Sequence, residues 1–419
     1  MRKTLMIFLV MLMSAGAYAD MTYELRGSVR EWLKVFASDP NPLSLLETRV
    51  KLELLSTLGE NTAFKAETYL VYEPINGQAL DIDMQEVYID FYSERIDMRV
   101  GKQVIAWGKA DELNPTDIIN PEEIVNITEE KNIRKKGLTA VKADVKFEDL
   151  VFTGICIADF AIHDFPPPGS SWDFFSGQMQ QALAAMGITY TPEVIPPENR
   201  LDSLQWAFKL SKTMEMLDFS FSYANVWDNL FTPYMASPGE MYFVFYRTQM
   251  FALDFAASLF DFGLWFEGAY FYTRDPGGTD DFIKNPYIQY VVGMDYTLPW
   301  DLKVNVQFFH EIITMIDSEA ERQVEEANIS RLGLSLPVQR ALSFRIGKNF
   351  GEADANSFEI FGIVDLKDGG IMMGPKMVIT PEDAVKVEFG VQIFDGRQES
   401  IFNLFNLNDE YFVKATYSF

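Results

Sequence analysis

Alternation with a period of two dominates this chain. In Glu47–Leu54, Thr48, Val50, Leu52 and Leu54 are apolar or neutral, while Glu47, Arg49, Lys51 and Glu53 are charged. Phe64, Ala66, Thr68, Leu70 and Tyr72 alternate with Lys65, Glu67, Tyr69, Val71 and Glu73. Ile96, Met98 and Val100 oppose Arg95, Asp97 and Arg99, and Val385, Val387, Phe389, Val391 and Ile393 oppose Lys386, Glu388, Gly390 and Gln392. Side chains 180° apart put each set on one face of a strand. The chain is therefore all-β, with strands that have one apolar and one polar face. A soluble sandwich shows the same pattern, so other features must decide.

Short links at 58–61, 93–94, 148–149, 298–301 and 381–383 alternate with long ones near 108–137, 161–200, 228–242 and 315–328. Transmembrane barrels have this asymmetry. Trp107, Trp227, Trp265, Tyr270, Tyr272 and Trp300 sit near strand ends, as interfacial girdles require. No stretch beyond the N-terminus approaches 18 uninterrupted apolar residues, which excludes a helical membrane bundle. With 48% hydrophobic and 14% aromatic residues the chain is not disordered. The final strand, Tyr411–Phe419, alternates to a terminal Phe and resembles the segment recognised by the outer-membrane barrel assembly machinery. At the other end Arg2 and Lys3, the apolar run Leu5–Met13 and Ala17-Tyr18-Ala19 form a cleavable signal peptide.

Residues 1–19 are thus read as the signal peptide and 20–419 as one outer-membrane barrel of a diderm bacterium. Strands are expected at 22–36, 44–57, 62–73, 82–92, 95–107, 138–147, 150–160, 201–212, 217–227, 243–257, 262–273, 286–297, 302–314, 329–348, 357–367, 371–379, 384–394 and 411–419. That is an antiparallel up-and-down β-barrel of about eighteen strands. If 329–348 splits at Pro337 the assignment changes, and sixteen is the alternative. Barrels this wide hold water unless something fills them.

The segment Arg99–Glu123 is the most distinctive. It holds Trp107-Gly108, Asp111 and Glu112, then Asn114-Pro115-Thr116-Asp117-Ile118-Ile119-Asn120-Pro121. Asn114 and Asn120, each followed by proline, read as two helix starts. Ile118, Ile119, Ile124, Val125 and Ile127 give the loop an apolar side. This motif, together with the architecture, resembles the porin-like outer-membrane barrels, including a large, poorly characterised bacterial family. In general porins the third loop enters the lumen and forms the constriction. The resemblance therefore implies a helical inward third loop, with Trp107, Asp111, Glu112, Asp117, Glu122 and Glu123 at the narrow zone. It leaves a homotrimer open.

Periodicity adds pore-lining candidates: Arg49, Lys51, Lys65, Glu67, Arg95, Asp97 and Arg99. Further inward cations are Lys142, Lys146, Lys303, Lys386 and Lys414. Inward acids include Glu47, Glu53, Glu73, Glu86, Asp90, Asp144, Glu267, Glu311 and Glu388, so the wall is near neutral in count. The formal charge is −26, and removing residues 1–19 takes away two cations and no acid, leaving −28. The excess acidity lies in loops and turns, which predicts a cation-attracting vestibule and excludes nucleic acid as a partner. In the fourth long loop Asp173 caps a short helix to Gly187 that carries Phe175, Met179, Leu183 and Met186, a candidate apolar capture patch.

Only His163 and His310 could serve a nucleophile or metal, and neither has partners at catalytic spacing. The lone Cys156 excludes an internal disulfide. No enzyme, cofactor or metal site is expected. The reading is a porin-like channel for passive diffusion of small solutes, with outer-membrane lipid and the assembly machinery as partners. A channel for hydrophobic or aromatic compounds, a closed structural barrel and a soluble β-protein are the alternatives.

Overall fold

The computed structural model describes residues 21–38, 43–75, 78–124, 131–167, 169–173, 176, 180, 183–184, 187–188, 192–198, 200–237, 240–326 and 338–419. The signal peptide lies outside them. Eighteen strands form one closed antiparallel sheet. They are β1 (Met21–Phe36), β2 (Leu43–Leu58), β3 (Thr62–Glu73), β4 (Gln78–Phe91), β5 (Ile96–Gln103), β6 (Leu138–Phe147), β7 (Leu150–Ile157), β9 (Gln205–Thr213), β10 (Leu217–Trp227), β13 (Arg247–Leu259), β14 (Phe262–Tyr272), β15 (Tyr287–Leu298), β16 (Leu302–Ile313), β17 (Arg340–Phe350), β18 (Asn356–Asp365), β19 (Gly370–Glu382), β20 (Val385–Gly396) and β21 (Glu410–Ser418). Three short strands, β8 (Glu193–Ile195), β11 (Thr232–Ser237) and β12 (Glu240–Val244), form a separate sheet outside the barrel, in the loops before and after β9–β10. Eighteen strands replace the alternative of sixteen. The stretch 329–348 contributes one strand, β17, and Pro337 lies outside the described residues.

Closure follows from register. β1 pairs with β2 on one side and with β21 on the other, from Ser28↔Ser418 to Phe36↔Glu410. Phe419 extends the seam: its N–H donates to Gly27 O and its carbonyl accepts from Gly27 N, both at 2.9 Å. A Cβ on Gly27 would stand 2.5 Å from the Phe419 ring. The last residue therefore needs glycine opposite it.

Because directly paired residues share a face, the ladder fixes which side chains face outward. Leu25, Val29 and Leu33 of β1, Leu46 and Leu52 of β2, and Met98 and Val100 of β5 are exposed on the outer face. Turns on the side of the described ends are short, and the opposite side carries the long connections 104–137, 158–204, 228–246, 273–286 and 314–339.

Two residues assigned to the girdle face inward instead. Trp107 and Trp265 are both buried, and the Trp265 indole donates to Gln307 Oε1 at 3.0 Å. A tryptophan near a strand end reads alike whether it meets headgroups or a loop inside the barrel. Gly27→Leu is expected to reduce the heat-modifiable, folded form on unboiled gels at least as strongly as deletion of Phe419. Wild-type levels for both would contradict the seam.

Candidate functional site

The interior of the barrel has two unlike halves. From β6 round to β15 the inward face carries an apolar and often small set, Ala140, Ile155, Ile157, Ala207, Ala224, Met250, Ala252 and Ala269, interspersed with polar side chains such as Gln205, Ser220, Asp254 and Glu267. Ile105, Trp107 and Ile119 of 104–137, the third connection on the long-loop side as 158–204 is the fourth, pack into this bed. Farther round, Leu113 joins Trp265, Val291, Phe309, Ala341 and Ile363. Alanine on the wall leaves room for a loop backbone, and burying the loop's apolar side removes that surface from water.

Polar pins fix its position. The buried Glu267 carboxylate of β14 accepts from the N–H groups of Lys109 and Ala110 and, at 3.1 Å, from Thr116 Oγ1. Gly108 makes this approach feasible: its φ is +95°, and a Cβ there would lie 2.5 Å from Glu267 Oε1 and from the Asn114 side chain. Asp111 N donates to Gln307 Oε1 at 2.9 Å, and the Asp111 carboxylate binds Arg345 of β17 at 2.9 Å. The loop is thus inward, attached to the wall at β14, β16 and β17.

It is not helical as expected. Among the described residues of the loop, helix is confined to the single turn Lys131–Arg134. The two asparagines do other work. Asn114 donates to Trp107 O at 2.9 Å and accepts from Thr116 N at 3.1 Å. Asn120 accepts from Ile105 N at 2.7 Å and donates to Lys136 O at 2.6 Å. An asparagine that ties two stretches of loop together has no helix to cap. Val125 and Ile127 lie outside the described residues.

Two cavities lie along the opposite wall. A cavity of about 670 Å3 opens on the long-loop side, between Lys34, Glu73, Asp81, Asp83 and the loop residues Glu123 and Arg134–Lys136. A second, of about 620 Å3, lies toward the short turns, against Arg30, Lys51, Lys65, Glu67, Arg99 and Lys386. Arg49, Tyr69, Gln85 and Ile133 line both, so the two chambers adjoin at these residues, between the β2–β4 wall and the loop. We refer to them as the outer and inner chambers.

The candidate residues separate by position. Arg49 is at the junction; Lys51, Lys65, Glu67 and Arg99 line the inner chamber, and Glu123 the outer. Glu112, Asp117 and Glu122 border a smaller cavity of about 140 Å3 on the far side of the loop. Asp117 pairs there with the buried Lys135, and Arg134 reaches Glu112 at 3.0 Å and Glu122 at 3.6 Å. Trp107 lines none of these cavities; it is part of the loop's own core. Arg95 lies in a short turn, and Asp97 pairs with Lys146 at 2.6 Å near that end. Arg30, Lys34, Gln85 and Ile133 were not among the candidates. The even positions of 22–36 did carry the signal for Arg30 and Lys34; nothing in the alternation marks Ile133.

Charges on the inner-chamber wall are sorted by depth. Lys51 is 32% exposed and its partner Glu67, 3.2 Å away, 8%. Arg99 is 31% exposed over Asp90 at 10%, and Lys386 is 44% exposed over Glu388 at 7%. Arg99 also lies 3.7 Å above the Tyr88 ring centroid. At the outer mouth the order reverses: Lys102 is 32% exposed and Asp83 46%, and Lys136 is 32% exposed and Asp164 51%. A wall near neutral in count therefore presents cations inside and acids outside.

The outer loops hold one another. Leu183 and Ile188 of the fourth long loop share a core with Phe231, Met241, Phe243 and Phe245. Leu183 is thus buried rather than offered to solutes, while Phe175, Met179 and Met186 lie outside the described residues. Asp173 accepts from Ser176 N at 2.8 Å, as its capping position predicts. The same loop grips the third: Asp164 exchanges backbone bonds of 3.0 Å with Glu122 and Ile124, and His163 Nδ1 accepts from Glu122 N at 3.0 Å. Burial pushes the His163 imidazole below its ordinary value, outweighing the attraction of Glu122 and Asp228 for its proton.

In class, this is a β-barrel of the porin-like fold. Its fold matches Pseudomonas aeruginosa OccK5 (OpdH) with a TM-score of 0.53 at 10% identity, covering 95% of this chain and 98% of that one. It also matches Pseudomonas aeruginosa OccK2 (OpdF), solved in complex with glucuronate, with a TM-score of 0.52 at 9% identity, covering 94% and 97%. No curated protein is similar in sequence. The chain belongs to the family described as Protein of unknown function (DUF1302), which it matches over residues 76–288.

Removing the Glu267 carboxylate strands two backbone N–H groups, at about 1–3 kcal/mol for each buried donor left unsatisfied. Glu267→Ala is expected to free the loop and raise trypsin cleavage near Arg134–Lys136 severalfold; unchanged cleavage would count against the pin. A second outcome concerns acid. His163 is held neutral by the fold, so its contribution is complete above its unfolded value and declines as pH falls below about 6.5. Protection of the loop should drop below that pH in the wild type, but not in His163→Gln. Equal pH dependence in both proteins would refute the role of the imidazole.

Proposed function

We propose that the protein is a passive diffusion channel of the outer membrane, reached by export through the signal peptide at 1–19, and that small hydrophilic solutes cross by way of the two chambers. The observation that supports this reading is that the two cavities, one toward the long loops and one toward the short turns, adjoin at Arg49, Tyr69, Gln85 and Ile133. The constriction is formed with loop 108–137, the wall supplying charge and the loop supplying Ile133. Both chambers are lined by many ion-paired side chains, which favours hydrated solutes over hydrophobic or aromatic ones, since burying a charge next to an apolar surface is costly. The buried Leu183 points the same way.

Solute flow would need no conformational cycle. The loop is held at both edges, by Glu267 and Arg345 on one side and by the Gln85 side chain donating to Lys135 O on the other. Planar-bilayer recording of purified protein tests the reading: stable ion conductance is expected, and a folded but silent barrel would sink it. Ile133→Trp should lower single-channel conductance, by roughly half if the indole fills the junction. Conductance indifferent to this substitution would move the constriction elsewhere.

A further inference from the structure

We infer that the inner chamber is an anion-selecting segment, whose solutes are small oxyanions such as carboxylates or phosphate, and that the acidic outer mouth does not set selectivity. The inference rests on the diffusion reading above and adds the chemical class of the solute. It comes from the depth order of the charges rather than from their number. Glu67, Asp90 and Glu388 are beneath the cations they hold, so they orient those side chains while contributing little surface of their own. What a solute touches is a row of N–H donors on Lys51, Arg99 and Lys386, spread over β2, β5 and β20. Rings of lysine and arginine select anions in pores, and charge-assisted bonds from them to oxyanions are about twice as strong as neutral ones.

Geometry puts this segment in control. The outer chamber opens widely, and Asp83 and Asp164 there face water with at least as much exposure as their lysine partners. Charges in open water are screened over roughly 8–10 Å. Past the junction the passage runs along the cationic wall, where field lines are confined and screening is weaker. Acids at the mouth and cations within also make the passage asymmetric, so current should differ with the sign of the voltage.

Reversal potentials across a planar bilayer under a tenfold salt gradient test this, first in potassium chloride and then in potassium acetate. The expected anion-over-potassium permeability ratio exceeds about 2 in both salts. Lys51→Gln with Lys386→Gln should bring it down to about 1. The barrel should survive this pair of changes, because Glu67 keeps Lys65 at 2.8 Å and Glu388 keeps Lys414 at 3.7 Å. Folding is checked by heat-dependent gel migration. A conducting channel that prefers potassium would overturn the inference and leave the diffusion reading standing. Anion preference in chloride but not in acetate would overturn the oxyanion class. A selectivity unmoved by the double substitution would overturn the role of the wall, and a silent folded barrel would overturn both readings.

Discussion

The structure depends on one mutual requirement inside the barrel. Glu267 is a buried carboxylate beside the apolar bed of the wall, directly across from Asp254 of β13, and a buried carboxylate needs donors. The third long loop brings two backbone N–H groups and a hydroxyl to it, and those groups in turn need an acceptor once the loop leaves water. Neither side is stable alone. Around this contact the alanines at 207, 224, 252 and 269 and the side chains of Trp107 and Ile119 exclude water. A barrel of eighteen strands is too wide for wall side chains to fill, so half of its lumen is closed by a segment of its own chain.

The other half follows from what the loop cannot cover. Side chains from β20 through β21 and β1 to β5 face water, and water lets charges stand there. Cross-strand ion pairs such as Lys65 with Glu86 at 2.8 Å lock neighbouring strands. They also decide which charge is on top. Carboxylates on short stems stay low, while lysine and arginine reach past them over the pairing partner. The same pairing that stiffens the wall gives it a cationic surface. At the mouth Asp83 and Asp164 are more exposed than their lysine partners, and the acidity of the whole chain shows.

Much of the fold was legible, because strands report themselves through alternation. All eighteen spans were expected, β3, β6 and β10 to the residue. That the loop 104–137 packs against something was legible as well, from its isoleucines, and Ile118 and Ile119 do lie in or against the core beside the wall. The loop's conformation was not. Asn-Pro reads as a helix start, and only the three-dimensional neighbours reveal that Asn120 bonds Ile105 N and Lys136 O instead. Nor does alternation say which polar residues meet water: Asp117 and Glu122 are fastened by Lys135 and Arg134, while Lys51 and Arg99 stand about a third exposed on the inner-chamber wall.

The claim that the loop closes one half of the lumen and leaves the other open is most directly tested by cysteine labelling from water. With Cys156 replaced by serine, single cysteines are placed at Lys51 and Arg99 on the open wall and at Ala224, Ala252 and Ala269 on the covered one. A membrane-impermeant thiol reagent should label the first two positions rapidly and leave the three alanine positions unlabelled in the folded barrel. Equal labelling of both walls would contradict the account.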